Sequence, residues 1–292
     1  MTSTRSDDRP VLPAVADRSR PEGSRLLGRI AGTGRSLVII LSLIAVWEGA
    51  VRLLEVNPLL FPTFGSVLRS LLDGLGLITG KREATGEFWH LTWVTMDVLL
   101  KSYVLAAVLA ITLTSLAAGN QWGRTFLATV TGIFQPLPGI ALVPLAILRF
   151  GLNTRALMFV VIMAMLWPLT GALAVGFATV PDTIVRVGQN YQLSRLAMIR
   201  CVLLPMALPA ALSGARVAWG YGWRTVVGAE IVFGATGAQG GLGWFINNSR
   251  LFLDVSGALS AILVVVIIGL LTESLFQLVQ NRTTKRWGME RA

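Results

Sequence analysis

The residues that build metal and redox sites are nearly missing from this chain, which has one cysteine, Cys201, and one histidine, His90. A lone cysteine makes no disulfide framework, and one Cys with one His falls short of the ligands a zinc ion takes. The plainer readings are a small apolar filler and an interfacial side chain. Charge is also scarce: 14% of residues are charged, 54% are hydrophobic, and mean hydropathy is +0.68. A soluble domain carries about 25% charged residues, so this composition defines a polytopic membrane protein. The net charge of +10 sits in the tails and in particular loops, which topology explains better than a nucleic-acid partner does.

Catalytic and nucleotide machinery is absent as well. Thr79-Gly80-Lys81-Arg82 lacks the hydroxyl after the lysine and the upstream glycine of a phosphate-cradling loop. The glycine-rich run from Gly234 to Gly243 follows a membrane span rather than a strand, so it reads as a flexible or re-entrant connection near the outer surface and not as a dinucleotide fingerprint. One histidine leaves no Ser/His/Asp set. The chain is expected to be neither an enzyme nor an autonomous ATPase, and to bind no cofactor or metal of its own. Residues 1–35 carry seven arginines and four acids and no apolar periodicity before Arg25. They read as a disordered basic cytoplasmic tail with a short interfacial helix over residues 24–30, without the cleavage signal of a secretory leader.

What is present is apolar length. A helix needs about 20 apolar residues to cross the hydrocarbon core, and stretches 36–54, 92–118, 126–148, 156–177, 206–231 and 256–279 qualify. Asp97 and Lys101 in the second stand one turn apart and can neutralise each other. Pro136, Pro138 and Pro144 should bend or break the third near mid-membrane, and Trp167-Pro168 marks a kink in the fourth. With the N-terminus inside, 15 Lys/Arg fall on the cytoplasmic side, seven in the outer loops and three within spans. Both termini are therefore expected inside. Residues 36–281 form the six-span domain and 282–292 a basic cytoplasmic tail. Between spans one and two, the stretch starting at Ser66 reads as an amphipathic helix on the outer membrane surface, with Val67, Leu68, Leu71 and Leu72 on one side. No internal repeat of the secondary-transporter kind is visible.

The loop 182–205 between spans four and five combines Arg186, Arg195 and Arg200 with an apolar close at Leu204-Pro205. It reads as a cytoplasmic amphipathic helix of about 20 residues, joined to span five by a firm corner at the proline. Two roles fit equally on physical grounds: docking into a partner's groove, and snorkelling of arginines to anionic lipid.

Several motifs occur in order along the chain. Trp47-Glu48, Phe61-Pro62-Thr63 and Thr95 come first, then the segment from Gln135 to Gly151 with Pro136, Pro138, Pro144, Phe150 and Gly151. Next come Tyr191-Gln192-Leu193-Ser194-Arg195, Arg200-Cys201-Val202-Leu203-Leu204-Pro205 and Ala229-Glu230. From about Ser36 to Trp287 this order resembles the membrane-spanning permease subunits of bacterial ABC importers, in the branch serving nitrate, sulfonate, taurine and bicarbonate uptake. The resemblance implies an all-α, type I ABC importer permease fold with a coupling helix between spans four and five. It also implies a homodimer in the bacterial cytoplasmic membrane, an extracytoplasmic solute-binding protein, and two cytoplasmic ATPase subunits that hold ATP and Mg. In that family the loop docks into the ATPase, which makes Arg186, Gly188, Gln192, Leu193, Ser194, Arg195, Arg200, Leu204 and Pro205 the coupling candidates. The family's Glu-Ala-Ala falls on Arg186-Val187-Gly188 and its loop glycine on Gln192, so the first half of the pattern departs. In span two, the usual Arg and Gly are Val98 and Ser102.

If span five is helical, Arg216, Trp219, Trp223 and Glu230 form one stripe, with Gly220 on it and Arg224 about 80° away. The stripe and the helix-breaking Pro136 and Pro138 are candidates for lining a pathway, Arg216 suiting an anion. The alternative is a structural role, with Arg216 and Glu230 snorkelling or bonded to other spans. Two rival functions are a secondary transporter or channel without an ATPase, and a non-transporting membrane scaffold.

Overall fold

The computed structural model describes residues 22–55, 57, 59–78, 86–234 and 240–286. The helices, in chain order, are α1 (Glu22–Leu53), α2 (Phe64–Gly74), α3 (Glu87–Ala117), α4 (Gln121–Phe134), α5 (Val143–Phe150), α6 (Thr154–Ala178), α7 (Asp182–Asn190), α8 (Arg195–Met198), α9 (Leu204–Phe233), α10 (Leu242–Leu251) and α11 (Val255–Arg286), with no strand among the described residues. Five helical runs are long and apolar enough to cross a membrane, and the bent pair α4 and α5 brings the number to six if it acts as one span.

The first helix forms a unit by itself. It begins at Glu22, so the stretch 24–30, expected as a short helix of its own, is continuous with the helix that follows; residues 1–21 lie outside the described residues. Its apolar side chains, such as Leu37, Ile40 and Leu43, are exposed along most of its length, and Arg52 binds Glu48 one turn back at 2.6 Å.

In the second unit, residues 56–292, α6 lies centrally, packed along α9 and α3. Small residues make that contact close. A Cβ at Gly176 would stand 2.8 Å from the Ala207 Cβ, and one at Gly214 would overlap the Ala172 Cβ. Helices in lipid associate through such surfaces because the bilayer offers no hydrophobic drive between them. Asn153 starts α6 by accepting the amides of Arg155 and Ala156 at 2.9 and 3.1 Å. Pro168 lies inside α6, which runs unbroken through it.

Three sequence expectations change here. The amphipathic α2 buries Val67 and Leu71 while Leu68 is exposed, and Ser66 and Ser70 meet Ser256 and Ser260 of α11 at 3.3 and 3.4 Å. Its apolar face is thus covered by protein. The loop helix of about 20 residues is two pieces, α7 and α8, separated by a turn. The corner expected at Pro205 is also absent: the chain is helical without interruption from Arg195 to Phe233. A π-turn over Ile199–Leu203, closed by the Leu204 N–H donating to the Ile199 carbonyl, precedes the proline. A proline ring clashes with the carbonyl four residues back, and a locally widened turn relieves this without ending the helix.

Candidate functional site

The turn between α7 and α8 is built by backbone geometry. Leu193 N–H donates to the Gly188 carbonyl at 3.1 Å and Gln192 N–H to the Gln189 carbonyl at 2.8 Å, the double bond that closes a helix through a left-handed residue. That residue is Gln192, with φ +52°. A side chain in that conformation costs about 1–2 kcal/mol of strain. Gly188 is buried beneath α8: a Cβ there would lie 2.6 Å from Met198 Cε and 3.4 Å from Leu193 Cδ1. Ser194 caps α8 by accepting the Ala197 amide at 3.3 Å.

The basic residues of this segment part company. Arg186 and Arg200 are exposed. Arg195 turns back on the bundle, its guanidinium lying over Gly119 and donating to the Leu116 carbonyl at 2.8 Å. It thus satisfies an orphan carbonyl at the end of α3, where a cation is favoured. The stripe that faces outward is apolar: Ile184 and Val187 on α7 and Tyr191 just past its end, 37%, 52% and 78% exposed. Sequence reading passed over these three because an i, i+3, i+7 apolar stripe ordinarily marks a face packed on the core.

At the other end of α9, Glu230 is buried. Its carboxylate accepts the Thr95 hydroxyl at 3.0 Å and the Gly243 amide at 2.8 Å, while Thr95 Oγ1 accepts the Leu242 amide at 2.9 Å. The acid and the threonine together cap the N-terminus of α10, satisfying amides and opposing the positive end of its dipole. This explains the glycine run. A Cβ at Gly241 would overlap Thr95 and Glu230, and one at Gly243 would overlap the Val227 carbonyl. Residues 235–239, the middle of that run, lie outside the described residues, as does the Lys81 segment.

The candidate stripe on α9 faces neighbouring helices of the same chain. Trp219, Trp223 and Glu230 are 7%, 7% and 3% exposed. Trp219 meets the rings of Tyr103 at 5.4 Å and Phe276 at 5.6 Å, and Trp223 lies against Gly269 of α11. Arg216 is paired with Glu273 of α11, its Nε donating at 2.7 Å. The stripe is the packing face against α3 and α11 because that is where α9 presents its bulkiest apolar side chains.

An exposed face remains on the other side of α9, carrying Val217, Tyr221 and Arg224. Beside it runs the interrupted span: α4 ends at Phe134, the chain bends by 90°, and a short 3-10 turn over Gly139–Leu142 leads into α5. The break falls at Pro136 and Pro138, as their missing amides predict, and both prolines are exposed. Gly139 abuts Thr225 and Ile140 abuts Gly228, so the turn lies against this face.

Membrane-length helices, one apolar run broken by prolines and a loop helix leading into the next long helix give a polytopic membrane architecture. Residues 91–285 match the family described as binding-protein-dependent transport system inner membrane component, and the chain belongs to that family. It is similar to the taurine transport system permease protein of Escherichia coli (strain K12), 30% identical over 83% of this chain and 86% of that protein. The bicarbonate transport system permease protein of Synechococcus elongatus is 28% identical, covering 89% of this chain and 94% of its own length. The nitrate import permease protein of Leptolyngbya laminosa is 27% identical over 70% and 71%. The chain is accordingly an ABC transport permease, all helical, with the type I importer fold.

Proposed function

We propose that this chain is the membrane subunit of an ATP-driven importer for a small anion, acting as a pair of copies in the cytoplasmic membrane with both termini inside. Separate ATPase subunits holding ATP and Mg engage the 182–205 segment, and an external binding protein delivers the solute. The relatives are named for taurine, bicarbonate and nitrate, each bearing an acidic oxygen group, and this supports an oxyanion as the solute.

The observation that carries the coupling role is the outward apolar stripe on α7 joined through one tight turn to an unbroken helical run into α9. A partner that grips Ile184, Val187 and Tyr191 moves α7. The Gly188–Met198 contact and the Arg195–Leu116 bond pass that displacement to α8, α9 and the end of α3, so two spans respond together. Arg195 is thus a transmitting group, and the apolar stripe is the docking group. With Val187→Asp, the ATPase is expected to be lost on co-purification from the native host, while membrane insertion and monodispersity are retained. An unchanged complex yield would overturn the docking role. Uptake driven by an ion gradient without ATP would favour a secondary transporter instead.

A further inference from the structure

The cationic side chains more than one turn inside the apolar stretches are Lys101, Arg216 and Arg224. Lys101 meets Asp97 at 2.6 Å and Arg216 is paired with Glu273. Arg224 is exposed and meets no acid among the described residues. The first two therefore enter the membrane with a counter-charge from their own chain, and the third does not.

Its depth makes that exceptional. A Cβ at Gly139 would lie 2.7 Å from the Ala164 Cβ and 3.1 Å from Thr225 Cγ2, so the proline turn, the middle of α6 and the residue after Arg224 share one level. Ala164 is ten residues into α6 (Thr154–Ala178), about 15 Å from one end and about 21 Å from the other. Nor does Arg224 reach for the nearer end of its own helix. Phe233 closes α9 nine residues later and Leu204 opens it twenty residues earlier, yet the guanidinium lies toward Gly220, its Nη2 3.9 Å from where a Cβ would stand. The side chain lies back along α9, as helical side chains do, and away from the nearer end.

Lipid does not solvate an unpaired guanidinium at that depth. Lipid likewise does not cover non-helical backbone there; such turns occur where protein or a water-filled cavity lies over them. The exposed turn at Pro136 and Pro138 and the unpaired cation are separate observations that meet at one level beside one helix face. We propose that Arg224 is the residue that binds the transported oxyanion at mid-membrane, on a face of α9 formed with Val217, Gly220 and Tyr221 beside the Pro136–Pro138 turn. This deepens the anion-import reading and rests on it. Gly220 leaves the fork uncovered, and a planar guanidinium matches a sulfonate, nitrate or bicarbonate through two parallel N–H donors, which an ammonium does not provide.

The test uses the whole importer complex purified from its host and reconstituted in liposomes, with ATP inside and labelled nitrate, bicarbonate, taurine or methanesulfonate outside. Arg224→Gln is expected to lower uptake of the transported solute about tenfold or more, with complex yield equal to wild type. Arg224→Lys, which keeps the charge and loses the fork, is expected to raise the uptake KM and retain most of the maximal rate. Wild-type uptake with unaltered kinetics in Arg224→Gln would overturn the role of Arg224 and leave the importer reading standing. Loss of the complex itself in Arg224→Gln, restored in Arg224→Lys, would identify a structural ion pair between copies and also overturn it. A wild-type complex that moves none of the four probes would overturn the anion-import reading, and this inference with it.

Discussion

The two faces of α9 solve the problem of polar groups in a membrane in opposite ways. The buried face closes its charged groups internally: Glu230 is shared between Thr95 and the start of α10, Arg216 has Glu273, and glycines let backbones approach. The exposed face carries Arg224 with no counter-charge among the described residues, next to a span that prolines have broken. A charge whose bonds are complete within the protomer is committed to holding the fold. A charge left incomplete at mid-depth requires a solute, water or a second chain to complete it. The intramembrane residues that look most functional by burial are thus the structural ones.

The largest effect should come from Gly243→Val. Its side chain would collide with the Val227 carbonyl and Glu230, displacing α10 and orphaning a buried carboxylate. A loss of about 3 kcal/mol or more is expected, read as a lower thermal midpoint in detergent; a wild-type midpoint would show that the buried face is not closed as described. Glu230→Gln should cost about 1–2 kcal/mol, because one of the two oxygens facing the Thr95 hydroxyl becomes an NH2 group and the start of α10 loses its acidic cap. Gln192→Gly should stabilise by about 1 kcal/mol, since it removes a left-handed side chain without disturbing the turn; a destabilised variant would mean that the glutamine side chain makes a contact that outweighs the strain. A double-mutant cycle on Arg216→Gln and Glu273→Gln should give a coupling of only about 0.5–1 kcal/mol, as both side chains are partly exposed. The smallest change is expected from Val217→Asn on the open face, within about 0.5 kcal/mol if that face meets water or protein. A clear destabilisation there would place it against lipid and erase the contrast between the two faces.

Much of the fold was legible in the chain. Apolar length marks α3, α6 and α11, and the run 126–148 is interrupted where Pro136 and Pro138 withdraw their amides. Less of the site was legible. The stripe of Arg216, Trp219, Trp223 and Glu230 was found by helical periodicity, but which way it points was not. In a soluble helix the polar side faces out; in a membrane helix that is apolar nearly all round, periodicity groups residues without orienting them. Arg224, off that stripe, received less weight for the same reason. At the loop, Leu204-Pro205 looked like a corner because proline usually ends or begins a helix, whereas the π-turn before it absorbs the clash.

By itself, the sequence determined the class of molecule and its sharpest local break: membrane residence from hydrophobic length, and the divided third span from proline chemistry. Those properties belong to single segments, whose backbone must satisfy its own hydrogen bonds in lipid whatever packs beside it. Only the tertiary structure decided which polar groups are complete. Thr95 meets Glu230 across 135 positions, Arg195 meets Leu116 across 79, and Arg216 meets Glu273 across 57. Pairings of that range depend on how whole helices cross, so no local pattern encodes them. Among the described residues they leave Arg224 as the intramembrane cation without an acidic partner.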